Sequence, residues 1–157
     1  MGTAATPLTQ LTALDFRLAV ILSRYNEDIV AALLDGARAA WRSHGGQEAA
    51  LRVEQVPGAF ELPLCARALA LGGTVDAVVA LGCVIRGDTA HFEFVAGECA
   101  RGLQRVMLDT GVPVSFGVLT VDTRQQALAR AGQDAANKGT EALETALAMA
   151  SLLRRLR

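Results

Sequence analysis

The residue of this chain best suited to move a proton is His91. Imidazole titrates near neutral pH and gives or takes a proton at modest cost. His91 follows the turn Gly87-Asp88-Thr89-Ala90 at the head of an expected helix. Free backbone N–H groups there favour an anion such as phosphate, and the Thr89 hydroxyl adds a donor. The same residues also fit plain helix capping by Asp88 or Thr89, with His91 on the surface. The turn has neither the Walker spacing nor a GxGxxG nucleotide fingerprint. His44 precedes Gly45-Gly46 at the end of another expected helix, where a cation suits the dipole and a structural role is expected. The chain carries fourteen arginines and one lysine, Lys138, eight positions after Arg130. These two cations either converge on a phosphate through a bent connection or form a solvated face. Glu141, one turn after Lys138, can pair with a cation. Tyr25, the only tyrosine, can stack on a flat heterocycle or serve as an ordinary rim aromatic. Glu61 at a helix start suits the dipole, and its carboxylate can also accept hydrogen bonds from ligand hydroxyls or ring N–H groups. No Ser-His-Asp or Cys-His arrangement can be assigned from residue order. No group of ligands has metal-site spacing, so no metal is expected.

These residues must be held by a regular frame. Residues 16–23 form a short apolar run rich in Val and Ile, as a buried strand does. Asn26 can cap the helix that follows, which Gly45-Gly46 ends. Residues 51–56 alternate as a second strand, Pro57-Gly58 marks a turn, and a helix covers 61–70. Residues 76–85 are almost continuously apolar, as in a central parallel strand covered on both faces. A helix over 90–109, a strand over 113–121 and helices over 123–131 and 138–155 complete the chain. Strands alternating with helices imply parallel pairing through right-handed crossovers. The expected fold class is α/β: a three-layer α/β/α domain over residues 15–157 with a four-stranded parallel sheet. Residues 1–14 lie outside the repeating units, as a loose arm or a strand added to a neighbour's sheet. Ligands of open parallel sheets bind beyond the carboxyl ends of the strands. That rule selects the segments after the first three strands, which contain Tyr25, Glu61 and His91, and the fourth strand and beyond, with Phe116 and Asp122.

Composition narrows the class further. With 157 residues, 52% hydrophobic and 20% charged, the chain fits one globular domain and is not disordered. A net charge of −1 leaves no bulk footprint for nucleic acid or an anionic membrane surface. The cysteines, Cys65, Cys83 and Cys99, are odd in number and fall in apolar stretches, as free thiols of a reducing compartment do. The first residues lack the basic and apolar regions of a signal peptide, and no run is long enough to span a bilayer. A cytoplasmic location is expected.

Several segments together resemble one family. Val56-Pro57-Gly58-Ala59-Phe60-Glu61-Leu62-Pro63, Ala80-Leu81-Gly82-Cys83-Val84-Ile85-Arg86-Gly87-Asp88-Thr89-Ala90-His91-Phe92, Val114-Ser115-Phe116-Gly117-Val118-Leu119-Thr120 and Asn137-Lys138-Gly139 resemble lumazine synthase, from about residue 16 to the C-terminus. The resemblance implies a flavodoxin-like topology. It also implies condensation of 5-amino-6-(D-ribitylamino)uracil with 3,4-dihydroxy-2-butanone 4-phosphate in riboflavin synthesis, through an imine, loss of phosphate and ring closure. No cofactor is implied. By position, Tyr25 matches the aromatic that stacks on the pyrimidine, often Phe or Trp in the family. Asn26, Ala59, Phe60 and Glu61 match the surroundings of the ring and ribityl chain. Cys83, Val84 and Ile85 match the strand end whose backbone reads the uracil edge. Asp88 and Thr89 match the phosphate turn, and His91 the proton donor and acceptor. Phe116, Arg130 and Lys138 match residues supplied by the adjacent subunit. Arg130 would hold the phosphate, Lys138 would add charge, and Glu141 would orient one of them. The resemblance implies self-association into pentamers, paired pentamers or icosahedral shells of twelve pentamers. The linker over 131–139 has the short length of shell-forming members, with Ala136 where many have Gly. A non-catalytic flavin or lumazine carrier and a structural shell protein are the rival readings of the same residues. A flavodoxin-type electron carrier fits poorly, because the loop after the first strand lacks Ser, Thr and Gly.

Overall fold

The computed structural model describes residues 10–157. Four parallel strands form its centre: β1 (Leu18–Ser23), β2 (Leu51–Val56), β3 (Ala77–Ile85) and β4 (Val114–Val121). Their order is β2-β1-β3-β4, matching the first four strands of the flavodoxin-like order. Five helices cover the sheet: α1 (Glu27–Ser43), α2 (Leu62–Leu71), α3 (His91–Thr110), α4 (Arg124–Arg130) and α5 (Lys138–Leu156). Helices α1 and α5 pack together on one face, and α2 and α3 on the other.

The strand sequences explain this order. All six residues of β1 and the first seven of β3 are buried, because central parallel strands are covered on both faces. Side chains alternate between two cores. Leu18, Val20 and Leu22 join the core under α1 and α5, while Ala19 and Ile21 join the one under α2 and α3. Strand β2, at one edge, keeps polar residues such as Arg52 and Gln55 exposed. The only tryptophan, Trp41, is fully buried, and its indole N–H donates to the Gln47 carbonyl at 2.9 Å. The first turn of α5 crosses α1 so closely that a Cβ on Gly139 would stand 1.8 Å from the Leu33 carbonyl oxygen.

The expected elements are present, with boundaries shifted for local reasons. Strand β1 begins at Leu18 rather than at residue 16. Asp15 turns the chain at a left-handed φ of 64°, and the Arg17 N–H is taken by Asp76 Oδ2 at 2.7 Å. Short 3-10 turns occupy Glu48–Ala50 and Ala59–Glu61, so α2 starts one residue later than expected. Of the expected arm, residues 1–9 lie outside the described residues. Ala13 is buried, and its N–H donates to the His44 carbonyl at 2.8 Å, which seats this segment on the end of α1.

Candidate active site

Strand order reverses beside β1: β2 lies on one side and β3 on the other. Open α/β sheets bind ligands at such a reversal, beyond the carboxyl ends of the strands. A cavity of about 580 Å³ lies there, lined by Tyr25 and Asn26 after β1, residues 57–61 after β2, residues 83–85 ending β3, and His91, Phe94 and Val95 of α3. That volume suits a small organic ligand. Tyr25, Phe60 and Phe94 stand 73%, 57% and 66% exposed around it, so the rim offers three ring faces uncovered by this chain. A Cβ on Gly58 would meet both the Tyr25 ring at 3.4 Å and Glu61 Oε2 at 3.1 Å. The glycine thus lets a flat surface and a carboxylate share one corner.

Two residues of the cavity behave differently from simple expectation. Asn26 precedes α1 but makes no side-chain cap. Its left-handed backbone, φ 55° and ψ 52°, is a conformation Asn tolerates. It sends Nδ2 across to donate to the Cys83 carbonyl at 3.0 Å, bracing the end of β3 against the end of β1. Cys83 itself is buried, and burial pushes its thiol up to about 11. The thiol is therefore protonated at neutral pH and unfit as a nucleophile.

His91 opens α3 and faces the cavity, and its N–H donates to Thr89 Oγ1 at 3.3 Å. The N-cap residue of α3, Ala90, supplies no side-chain cap of its own, so donors other than the His91 and Glu93 N–H groups remain at the helix head for an anion. Asp88 and Thr89 are exposed beside His91 and lie outside the cavity lining.

A second cavity, of about 300 Å³, runs along β4, the other edge strand, and is lined by residues 115–121 with Arg130, Lys138, Glu141, Ala142 and Thr145. Arg130 ends α4 and Lys138 begins α5, so the bend between these helices brings the two cations together. Glu141 pairs with Lys138 Nζ at 2.5 Å, whereas Arg130 Nη1 donates to the Gln126 carbonyl at 2.9 Å. Phe116, also in this lining, is 46% exposed. The two linings share no residue. The first draws on α3 and the second on α5, helices of opposite layers.

The family model for 6,7-dimethyl-8-ribityllumazine synthase matches residues 15–154. The chain belongs to the 6,7-dimethyl-8-ribityllumazine synthase family. It is 51% identical over 148 residues to the 6,7-dimethyl-8-ribityllumazine synthase of Halorhodospira halophila, covering 94% of this chain and 95% of that protein. It is 48% identical over 144 residues to that of Chlorobium limicola, covering 92% and 93%. The resemblance carried by the PGAFELP and GCVIRGDTAHF segments is borne out, and with it the α/β fold and the lumazine synthase activity, a transferase reaction of riboflavin biosynthesis.

Among the residues that suggested the family, two take structural roles that the sequence did not assign. Asn137 is buried, and its Oδ1 caps α5 by accepting from the N–H groups of Gly139 at 2.8 Å and Thr140 at 3.3 Å. Its Nδ2 donates to the carbonyls of Ala32, Ala131 and Gly132. One side chain thus fixes the bend that sets Arg130 beside Lys138. Arg86, within the lumazine synthase-like GCVIRGDTAHF segment and directly after β3, donates through Nε to Asp122 Oδ1 at 2.9 Å and pairs with Glu93. Its guanidinium carbon stands 4.3 Å from the centre of the Phe92 ring. The paired charges hold Arg86 above its usual pKa and Glu93 below the usual carboxylate range. A signal for α4 was present in the sequence as Thr123-Arg124-Gln125-Gln126. Thr123 and Gln126 form a reciprocal capping box at the helix start.

Proposed function

We propose that the protein condenses 5-amino-6-(D-ribitylamino)uracil with 3,4-dihydroxy-2-butanone 4-phosphate at a site assembled from two subunits. The observation that carries this reading is the division of the candidate residues between two cavities with no residue in common. One cavity has the stacking aromatics, the strand-end backbone and His91. The other has Phe116 and the cations Arg130 and Lys138. Each is half of what the reaction needs.

The pyrimidine stacks on Tyr25 and meets the backbone of Cys83, Val84 and Ile85, with Ala59, Phe60 and Glu61 around the ring and ribityl chain. Asn26 holds the end of β3 in place for that reading. The phosphate of the second substrate rests at the head of α3 near Asp88 and Thr89. Around that position Asp88, Glu93 and Asp122 outnumber the one cation, Arg86. A phosphate there therefore needs positive charge from elsewhere, which Arg130 and Lys138 of the neighbouring subunit supply. Glu141 keeps Lys138 in place. The amine attacks the ketone and water leaves as the imine forms. The imine loses phosphate, and ring closure expels a second water. Each step needs a proton moved near the reacting atoms, which is the role given to His91. Orientation of two substrates supplies the other large contribution.

A ring of subunits follows from this reading, because a head-to-tail contact that closes pairs every first cavity with a neighbour's second one. We read the assembly as pentamers, twelve of which close a shell of about 60 subunits. Residues 15–157 then act as one α/β domain. A cytoplasmic location accords with the free thiols of Cys65, Cys83 and Cys99. Among the described residues no helix is long and apolar enough to cross a membrane.

The test mixes two impaired variants, His91→Ala and Arg130→Ala. Turnover is followed by lumazine absorbance against a no-enzyme control. Separately each variant should run on the order of a hundredfold below wild type, still measurably above that control. Unfolded, mixed in equal amounts and refolded together, they should recover about a quarter of wild-type activity, since random neighbours leave that share of sites intact. No recovery would place both residues in one subunit's site. Wild-type protein that assembles but runs at the control rate would leave the non-catalytic binder or shell as the reading.

A further inference from the structure

We infer that Arg86 is a positioning residue, which fixes His91 and the Gly87–Ala90 turn by clamping both ends of that turn to the end of β4. The inference rests on the reading of His91 given above.

The turn between β3 and α3 has few bonds of its own. The His91 N–H donates to Thr89 Oγ1 at 3.3 Å, and the Glu93 N–H to the Ala90 carbonyl at 3.1 Å. Gly87 has open space where a side chain would stand. Arg86 supplies what the turn lacks. Its backbone N–H extends the β3–β4 ladder by donating to the Val121 carbonyl at 2.9 Å. Its side chain then reaches past the turn to Phe92 and Glu93, the two residues after His91, while Nε holds Asp122 just beyond β4. Asp122 is itself bound, through its N–H, to Gln126 Oε1 at 2.8 Å. One planar fork therefore joins the strand before the turn, the helix after it and the segment leading into α4.

The arrangement contributes little to stability. The side chains of Arg86, Glu93 and Asp122 are 44%, 52% and 66% exposed, and solvent screens ion pairs this open. Its geometric effect is larger. His91 lies at a helix end, where the backbone frays unless tied. A displacement of about 1 Å at a catalytic group costs on the order of a hundredfold in rate. Arginine is required rather than lysine, because only the planar guanidinium serves two carboxylates and a ring face together.

The test is a double-mutant cycle on turnover, with product affinity measured by fluorescence titration of 6,7-dimethyl-8-ribityllumazine. Arg86→Ala should lower kcat by roughly ten- to a hundredfold. It should leave product affinity within about twofold, because the aromatic rim and strand end are untouched. Arg86→Lys should recover only part of the loss. In a His91→Ala background the same change should cost less than about twofold more, since residues acting as a unit are not additive. Full multiplication of the two losses, or wild-type kcat in Arg86→Ala, would overturn the inference. If His91→Ala itself turned over like wild type, the reading of His91 would fail instead, and the two failures are told apart by that single variant.

Discussion

Replacing Asn137 by alanine should both destabilise the protein and weaken its hold on phosphate. The side chain caps α5 through contacts at 2.8 and 3.3 Å, and loss of such a cap costs about 1 kcal/mol. It also satisfies the carbonyls of Gly132 at 2.8 Å, Ala32 at 3.1 Å and Ala131 at 3.3 Å. Stranding buried polar groups adds about 2 kcal/mol more. A total of about 3 kcal/mol corresponds to a fall in Tm on the order of 10 °C for a chain of this size. Urea melts at fixed protein concentration would measure it, since assembly shifts apparent stability with concentration. The bend between α4 and α5 should also loosen, so initial rates should show KM for the phosphate substrate rising about tenfold while KM for the pyrimidine holds. Asn137→Asp keeps the cap acceptor but turns a carboxylate toward three carbonyl oxygens, and should be at least as damaging. A loss below about 0.5 kcal/mol in Asn137→Ala, within the range of an ordinary surface change, would refute the account of Asn137 as the pin of the bend.

Two further expectations concern single side chains. Tyr25→Phe should retain pyrimidine binding, whereas Tyr25→Ala should raise KM for the pyrimidine roughly three- to tenfold through lost stacking; equal KM values in both variants would remove Tyr25 from the site. Burial raises the Cys99 thiol from its ordinary 9.0 to about 12. The unfolded chain therefore releases this proton first as pH rises, so the contribution is whole below about 9 and is lost toward 12. Urea midpoints at pH 7 and pH 10 should fall apart less in Cys99→Ala than in wild type, and an unchanged gap would contradict that sign.

What the sequence made legible follows from locality. The strands and helices could be read because β1 and β3 are apolar runs and α5 carries a stripe through Leu143, Ala146, Leu147 and Ala150, all buried. Cavity residues could be placed because strand ends gather ligand sites whatever the side chains. The convergence of Arg130 and Lys138 needed only a short bend between two helices. Asn26 was legible as a helix-start residue, but its real partner, the Cys83 carbonyl, is 57 positions away. Likewise Asn137 reaches Ala32 across 105 positions and Arg86 reaches Asp122 across 36. No local pattern marks such a bond, because it exists only once the sheet has brought distant segments together. The division of the candidate residues between two cavities has the same origin: residue types announce a site, but only strand order decides which edge each residue occupies.

The placement of Lys138 has a practical consequence. It is the only lysine of the chain, and it opens α5 in the lining of the β4 cavity with its side chain 37% exposed. An amine-directed label on a lysine side chain thus has one address in the molecule, in the β4 cavity that Arg130 also lines. A lysine-specific protease has one bond to cut, and that cut separates Arg130 from α5. Labelling rate and cleavage rate at this position therefore serve as paired gauges of how closely a neighbouring molecule covers the cavity, without any engineered probe.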